Sequence, residues 1–166
     1  MAASQANKRW STSKWIELAN IILKNSNQNI TLFPGISEDE NKEAEHILEA
    51  IGKDKGEIIH EKSIQDVTLQ IGKQICFVSN DTGLLHLAVA INIPTIGLYI
   101  STNSEIWSPY DKTNFVPCQN SFIKKCPDPK SHCGNCFHYY DACPAIAQYG
   151  DDINPSDVYK IVSRYV

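Results

Sequence analysis

The chain has 166 residues, with 15 Lys and Arg against 19 Asp and Glu, and a formal net charge of -4. This length fits one domain, and a hydrophobic fraction of 42% excludes a chain that is disordered throughout. The mild acidity, without a long Lys/Arg run, argues against a nucleic-acid-binding protein. No stretch approaches the ~18 apolar residues of a transmembrane segment, and the start does not resemble a signal peptide. We therefore expect a cytoplasmic protein, with the inner face of the membrane as the alternative.

The first part of the chain alternates between helical and strand-like hydrophobic spacing. Short strands are predicted at 30–33 and 57–60. Helices are predicted around them, at 15–23, after residue 37 and after residue 63. Polar residues suited to capping precede these helices: Ser11 or Ser13, the capping box of Ser37 and Glu40, and Ser63 with Asp66.

An apolar run at 75–78 predicts a strand covered on both faces. A polar turn at 79–83 follows it, then an apolar stretch at 84–91 that predicts a buried helix, and a further strand at 95–99. Strands and helices that alternate over short links are typical of a parallel α/β sheet covered by helices. The order of elements predicts this fold class.

The pattern breaks down after residue 100. Residues 101–150 hold five of the six cysteines and most of the prolines, which predicts a long irregular excursion. Order returns at the end of the chain, where Asn154 as a cap and Pro155 at the first helical position predict a final helix. We accordingly divide the chain into a sheet domain over 1–110, a Cys-rich excursion of the same domain over 111–150 and a C-terminal helix over 151–166.

The turn between the strand at 75–78 and the next helix carries the most chemical information. The free N–H groups and the dipole of a helix start favour an anion, and Gly83 would let the anion approach the backbone closely. Asp81 or Thr82 could cap the same helix, and His86 lies one turn further on. The pattern fits a phosphate or diphosphate site, or equally a capped core helix with a polar His86.

Several ordered motifs extend this interpretation from about residue 2 to residue 110. Asn-Asp-Thr-Gly-Leu-Leu-His-Leu-Ala at 80–88 and Ile-Pro-Thr at 93–95 resemble glycosyltransferase family 9, the ADP-heptose:lipopolysaccharide heptosyltransferases. Lys-Arg-Trp at 8–10 resembles the start of that family's second domain. Residues 30–35 with Glu38 resemble its next strand and acidic turn, and residues 104–110 resemble the segment after the Pro-Thr strand.

The resemblance implies the C-terminal half of a GT-B enzyme, a Rossmann-like domain that binds a nucleotide-diphosphate sugar of the ADP-heptose type. Asp81, Thr82 and Gly83 would face the donor diphosphate, Lys8 would pair with phosphate and His86 would lie near the donor. Ser4 and Glu38 are further candidates for phosphate and nucleoside contacts. No metal is required for transfer in this scheme, because backbone donors and a Lys stabilise the leaving diphosphate.

The same resemblance also implies that parts of the family's enzymes have no counterpart in this sequence. The acceptor-binding domain and its acidic general base have no counterpart here, so we assign no catalytic residue, and whether the chain is an enzyme by itself stays open. The first strand of the domain is missing as well, which predicts a gap between the strands at 30 and 75. Another polypeptide could supply the strand or bind the acceptor, and an incomplete sheet would favour homo-oligomers.

Four cysteines form a compact set that could hold a structural zinc or iron: Cys126, Cys133, Cys136 and Cys143. Cys118 could replace one of these ligands. Free thiols are the main alternative to a metal site, and disulfides are the third state.

Two functions therefore compete. The first is the donor-binding half of a heptosyltransferase-like enzyme that acts on lipopolysaccharide or another cell-envelope saccharide. The second is a non-catalytic module, either nucleotide-sugar-binding or metal-stabilised, that remains from a truncated enzyme. A third hypothesis is a phosphate-binding α/β domain of an unrelated enzyme.

Overall fold

The structure is a computed structural model that describes residues 8–60, 63–121 and 151–166. Helices and strands alternate through the described part of the chain. The helices are α1 (Thr12–Asn25), α2 (Glu38–Ile51), α3 (Ile64–Ile71), α4 (Gly83–Ala90), α5 (Ser104–Trp107) and α6 (Pro155–Val162). The strands are β1 (Ile30–Leu32), β2 (Gly56–Ile58), β3 (Phe77–Asn80), β4 (Thr95–Tyr99) and β5 (Phe115–Gln119).

All the strand pairs in this part of the chain are parallel, as the alternating pattern predicts. β1 pairs with β2, with Ile30 opposite Gly56. β3, β4 and β5 form a second sheet in that order, with Thr95 of β4 opposite both Phe77 and Phe115. The facing edges of β1 and β3 line a common cavity of about 730 Å³. Among the described residues, no strand lies between β1 and β3, which is where the gap is predicted.

Of the predicted caps, those at the starts of α2 and α3 form side-chain cap hydrogen bonds, whereas the N-cap residues Ser11 and Asn154 make none with their side chains. Ser37 and Glu40 form a complete capping box at the start of α2, and Gly52 ends that helix with a φ of 99°. Only glycine adopts this backbone conformation without strain. The Ser63 side chain accepts from the amide of Asp66 at the start of α3. Pro155 stands at the start of α6, where its missing N–H would be unpaired anyway.

Helices α1 and α6 cover one face of the sheets together. Trp10 and Trp15 pack edge to face with ring centroids 5.1 Å apart. The same core contains Ile96 and Leu98 of β4 and Val158 of α6, all fully buried. A second cluster joins Phe33 and Phe77, 5.4 Å apart, to Ile71 and Ala88. All five residues of β4, the middle strand of its sheet, are buried, as expected for a strand covered on both faces.

The strand predicted at 75–78 lies two residues later than expected. β3 begins at Phe77, whose amide donates to the Pro94 carbonyl next to β4, while Ile75 is half exposed. Ser79 and Asn80, predicted as part of a turn, are buried residues of the strand. The hydrophobic pattern predicts the strand two residues too early, because the last two residues of the strand are polar.

The excursion predicted after residue 100 is regular at two places. α5 forms at Ser104–Trp107, and β5 pairs with β4 over all five of its residues, Pro117 included. Among the described strands β5 is an edge strand, where a proline without N–H is tolerated. Its proline and cysteine are not typical of a strand, so the sequence does not predict it. Because β5 pairs with β4, the sheet extends past residue 110.

Helix α4 is less covered than its apolar sequence predicts. Leu85 and Ala88 are its buried residues, whereas Gly83, His86 and Ala90 are exposed. Within the described ranges, no helix is both long and apolar enough to cross a membrane.

Candidate functional site

The turn from β3 into α4 forms the centre of the site. The amide of Asp81 donates to the Leu98 carbonyl at 3.2 Å, which fixes the turn to the end of β4. Thr82 is the N-cap residue of α4 in extended conformation, but its side chain makes no cap hydrogen bond. The expectation that Asp81 or Thr82 caps this helix is therefore wrong. The first amides of α4 therefore donate no hydrogen bond to the Thr82 side chain and can donate to another acceptor.

Gly83, the first residue of α4, faces open space. A Cβ atom built at this position would meet no atom within 4 Å. Gly83 is also exposed, so a ligand can reach the backbone at the helix start. Uncapped amides and the positive end of the helix dipole at an accessible backbone suit a phosphate group.

Asp81 instead organises a buried ion pair beside the helix start. Its Oδ2 accepts from Lys8 Nζ at 3.1 Å and from Thr102 Oγ1 at 2.9 Å. The side chains of Lys8 and Asp81 are only 11% and 6% exposed, so each charge depends on the other. The Lys8 ammonium also lies 5.8 Å from the ring centroid of Trp107, within reach of a cation–π interaction. The pair places the Lys8 ammonium and the Asp81 carboxylate, which together carry no net charge, beside the start of α4.

The segment around Lys8 is tied to the carboxyl ends of both sheets. The amide of Trp10 donates to Asn80 Oδ1 at 3.1 Å, at the end of β3. Arg9 lies 3.6 Å from Glu40, in the first turn of the helix that follows β1. The Trp10 indole N–H donates to the Ile153 carbonyl at 3.1 Å. These contacts position Lys8, which precedes α1 in the chain.

The sheet beneath α4 is built for close approach. A Cβ at Gly97 would lie 2.7 Å from Leu85 Cδ1 and 2.9 Å from the Phe115 ring. Only a glycine allows this α4 residue to sit so close to β4. Tyr99 is fully buried on the same strand, and burial raises its pKa to about 12, so its hydroxyl stays neutral at physiological pH.

The structure brings together some of the predicted donor-site residues. Lys8, Asp81, Thr82 and Gly83 lie at one place. His86 is one turn further along α4 with an exposed side chain, and none of the contacts found in the described residues joins it to Asp81. Ser4 lies outside the described residues.

Glu38 is placed differently from its buried neighbour Glu40. Glu38 is exposed and pairs with Lys42 along α2. Glu40 is buried, lies over Gly35, and approaches Arg9. Of the two acidic residues, Glu40 is therefore the one connected to the segment that carries Lys8.

Sequence reasoning missed Thr102, Trp107 and Glu40. Thr102 follows the carboxyl end of β4, so the rule that pointed to Asp81 also applies to it. Glu40 was assigned only to the capping box, although the same carboxylate also approaches Arg9. The position of Trp107 in the sequence does not indicate this role, because its contact with Lys8 depends on where α5 lies in the tertiary structure.

The four cysteines of the predicted metal set, Cys126, Cys133, Cys136 and Cys143, lie outside the described residues. In the part that the structure describes, no group of three or more His, Cys, Asp or Glu side chains could hold a metal. Cys118, the alternative ligand, lies in β5, and burial raises the pKa of its thiol to about 11. Its thiol is therefore protonated and weakly reactive at neutral pH.

The chain is similar in sequence and in fold to known proteins. The chain is 29% identical over 117 residues to lipopolysaccharide heptosyltransferase 1 of Salmonella typhimurium, a match that covers 70% of this chain. Its fold matches E. coli heptosyltransferase WaaC with ADP at a TM-score of 0.73, with 22% identity over 99% of this chain. E. coli ADP-heptose LPS heptosyltransferase II gives a TM-score of 0.72 with 20% identity over 99% of the chain.

The chain spans only part of these proteins. It covers 36% of the Salmonella enzyme and 42% and 44% of the two E. coli structures. The parallel sheets flanked by helices match the GT-B heptosyltransferase structures. The sequence pattern described as Glycosyltransferase family 9 (heptosyltransferase) matches residues 1–135. The family's sequence model thus matches more than half of the chain, and the chain belongs to glycosyltransferase family 9.

Proposed function

We propose that this chain binds the diphosphate of a nucleotide-sugar donor at the start of α4, as the donor-binding half of a heptosyltransferase-like enzyme. The observation that carries the proposal is the uncapped, open start of α4 beside a buried Lys8–Asp81 pair. One of the matched E. coli structures contains ADP and another ADP-2-deoxy-2-fluoro heptose. The second is 29% identical to this chain over 72% of its length, with a TM-score of 0.62.

The chemistry of sugar transfer fits these residues. When the sugar leaves the donor, negative charge develops on the nucleoside diphosphate. Amides fixed at a helix start and the positive charge of Lys8 stabilise that charge without reorganisation. Asp81 keeps Lys8 in place, and Thr102 orients Asp81. Thr82 lies beside the same diphosphate, and its hydroxyl is 3.3 Å from that of Ser79.

The proposed acceptor is a lipopolysaccharide or another cell-envelope saccharide, and none of the residues assigned above acts as the base that activates it. His86 and Glu38 remain proposed donor contacts through parts of the donor that extend from the diphosphate.

The direct test is a thermal-shift panel with ADP, UDP, GDP and their sugars. ADP and ADP-heptose at about a hundred times their Kd are expected to raise the Tm by roughly 5–10 °C. Gly83→Val should abolish this shift by blocking the helix start, while Ser37→Ala at the start of α2 should retain it. A panel in which no nucleotide raises the Tm contradicts the proposal.

Metal dependence is tested in the same panel. Since Lys8 and the helix dipole supply the positive charge, the ADP shift is expected to be equal in EDTA and in MgCl₂. A shift that disappears in EDTA would assign the diphosphate contact to a metal instead.

A further inference from the structure

The segment that carries Thr102 connects β4 to α5 and belongs to neither. Residues 100–103 lie between the two elements, and none of the described strand pairings includes them. Thr102 is nevertheless fully buried, and its hydroxyl donates to Asp81. Rotation about χ1 of Thr102 to another staggered rotamer would withdraw the hydroxyl from the carboxylate. The contact between Thr102 and Asp81 therefore depends on what holds this segment in place.

The side chain of Gln119, the last residue of β5, holds the segment at three points. Its Nε2 donates to the Tyr99 carbonyl at 3.0 Å and to the Thr102 carbonyl at 3.1 Å. Its Oε1 accepts from the Ser104 amide at 2.7 Å. Another contact of Nε2, with the Asn120 carbonyl, is longer at 3.3 Å. The Gln119 side chain thus connects both ends of the segment and its middle.

The partners of Gln119 require a carboxamide. The oxygen of the side chain accepts from an amide N–H, while its nitrogen carries two hydrogens and donates to carbonyls. A carboxylate has no donor, an ammonium has no acceptor, and an alkyl chain has neither. The reverse orientation of the carboxamide would bring its oxygen to the carbonyls and its nitrogen to the amide. The partners therefore determine both the residue type and its orientation.

The Thr102 hydroxyl bears directly on the donor site. Lys8 Nζ, at 3.1 Å, and Thr102 Oγ1, at 2.9 Å, donate to the same oxygen of Asp81, Oδ2. A carboxylate that turned toward the first amides of α4 would cap them and compete with a phosphate group. The hydroxyl of Thr102 therefore helps to keep the Asp81 carboxylate on Lys8 and away from the helix start.

We propose that Gln119 is a positioning residue for the Lys8–Asp81 pair. It holds the backbone of Thr102, so that the hydroxyl keeps its bond to Asp81 and the carboxylate stays on the Lys8 ammonium. Gln119 contacts no donor in this scheme and acts through Thr102. Its effect on a diphosphate rests on the function proposed above, whereas its effect on the Thr102 rotamer does not.

NMR couplings across χ1 of Thr102 test the positioning without any nucleotide. In the parent chain, the couplings from the backbone nitrogen and carbonyl carbon to Thr102 Cγ2 should be those of one rotamer. Gln119→Met keeps a long side chain but removes the donor and the acceptor, and should average the couplings over several rotamers. Couplings of a single rotamer in Gln119→Met overturn the proposal.

Gln74→Met is the matched control. Gln74 is also partly buried, and its Nε2 donates to a backbone carbonyl, that of Gln70, at the end of α3. The same loss of a carboxamide at this position should leave the Thr102 couplings and the ADP affinity unchanged. Equal averaging of the couplings in both variants would mean that Gln119 has no particular connection to Thr102, which contradicts the proposal.

Gln119→Asn covers the case in which Gln119→Met does not fold. It keeps a polar carboxamide at the end of β5 but is one methylene shorter, which draws the amide back from the Thr102 carbonyl and the Ser104 amide. The same averaging of the Thr102 couplings is expected. Single-rotamer couplings in this variant contradict the proposal equally.

A double-variant cycle on ADP affinity, measured by titration calorimetry, tests the route to the donor site. Thr102→Val removes a hydrogen bond to a charged group and should weaken ADP binding about tenfold. Gln119→Met should weaken it by a similar factor. If Gln119 acts through Thr102, the double variant also loses about tenfold, whereas independent effects would multiply to about a hundredfold. A hundredfold loss, or parent affinity in Gln119→Met, overturns the proposal.

The two experiments separate failure of this proposal from failure of the proposed function. If the parent chain binds no ADP, the diphosphate site is wrong, but the Thr102 couplings still decide whether Gln119 positions Thr102. If ADP binds and Gln119→Met changes neither the couplings nor the affinity, the donor site stands and the role of Gln119 is excluded.

Discussion

Helices α2 and α4 both begin just after the carboxyl end of a parallel strand, but their first turns are completed differently. At α2 the Ser37 hydroxyl accepts from the Glu40 amide, and the Glu40 carboxylate accepts from the Ser37 amide, each at 3.3 Å. At α4 the side chain of Thr82 makes no such bond, and Gly83 opens to free space. One helix start is satisfied by its own side chains, and the other is left accessible.

We propose that this difference separates a structural helix start from one that binds a ligand. The carboxylate that would seal α4, Asp81, is drawn away by Lys8 and Thr102. The Thr82 side chain leaves the first amides of α4 without a cap hydrogen bond, and the Lys8–Asp81 pair lies beside them. Substitutions at α2 should therefore alter stability without affecting ligand binding, whereas substitutions at α4 should affect binding more than stability, except where they touch the buried ion pair.

The largest effect is expected for Asp81→Ala. It leaves the Lys8 ammonium buried without its carboxylate and should lower the free energy of unfolding by about 3 kcal/mol, as measured by urea denaturation. The ADP-induced Tm shift should disappear as well. The double variant Lys8→Met/Asp81→Ala should recover most of the stability but none of the binding. A loss below about 1 kcal/mol for Asp81→Ala would show that the pair is not a buried, mutually dependent one.

Gly97→Ala should have the next largest effect. Its methyl group would press against Leu85 and Phe115 and push α4 from the sheet, at a cost of about 1–3 kcal/mol in overpacking. Because α4 moves, ADP affinity should fall too. Urea denaturation and ADP titration of the same variant check both effects. Unchanged values would mean that α4 does not rest on Gly97.

Ser37→Ala probes the sealed helix start. Removal of the capping hydroxyl should lower stability by about 1 kcal/mol, with no change in the ADP-induced shift. Ser37→Thr, which keeps a hydroxyl, is the matched control and should lose less. Loss of ADP binding in Ser37→Ala would contradict the division between the two helix starts.

Gly83→Ala should have the smallest effect on stability, within about 0.5 kcal/mol of the parent, because the new methyl group meets no neighbouring atom. ADP binding should weaken nevertheless, since the methyl group occupies space at the helix start, and Gly83→Val should remove it. Parallel urea and ADP titrations distinguish the two effects. ADP affinity equal to the parent in Gly83→Val would place the diphosphate elsewhere.

Much of this molecule follows from local chemistry that the sequence displays. The period of the hydrophobic residues and the caps at Ser37, Ser63 and Pro155 determine where helices form, because these signals act within a few residues. The alternation of helices and strands determines a parallel α/β fold. The turn at 81–83 is visible for the same reason: a polar turn between a buried strand and a helix marks a strand end, which we propose as the ligand site.

Tertiary structure decided the features that depend on distant residues. Asp81 could have capped α4, and only contacts with Lys8, 73 positions away, and Thr102 show that it does not. β5 is a strand in spite of Pro117 because β4 offers it an edge to pair with. The two walls of the gap, at β1 and β3, are separated by 45 residues or more in the sequence. The sequence by itself determined most of the helices, the parallel α/β fold and the family, while long-range pairing decided the position of β3, the existence of β5 and the partners of Asp81.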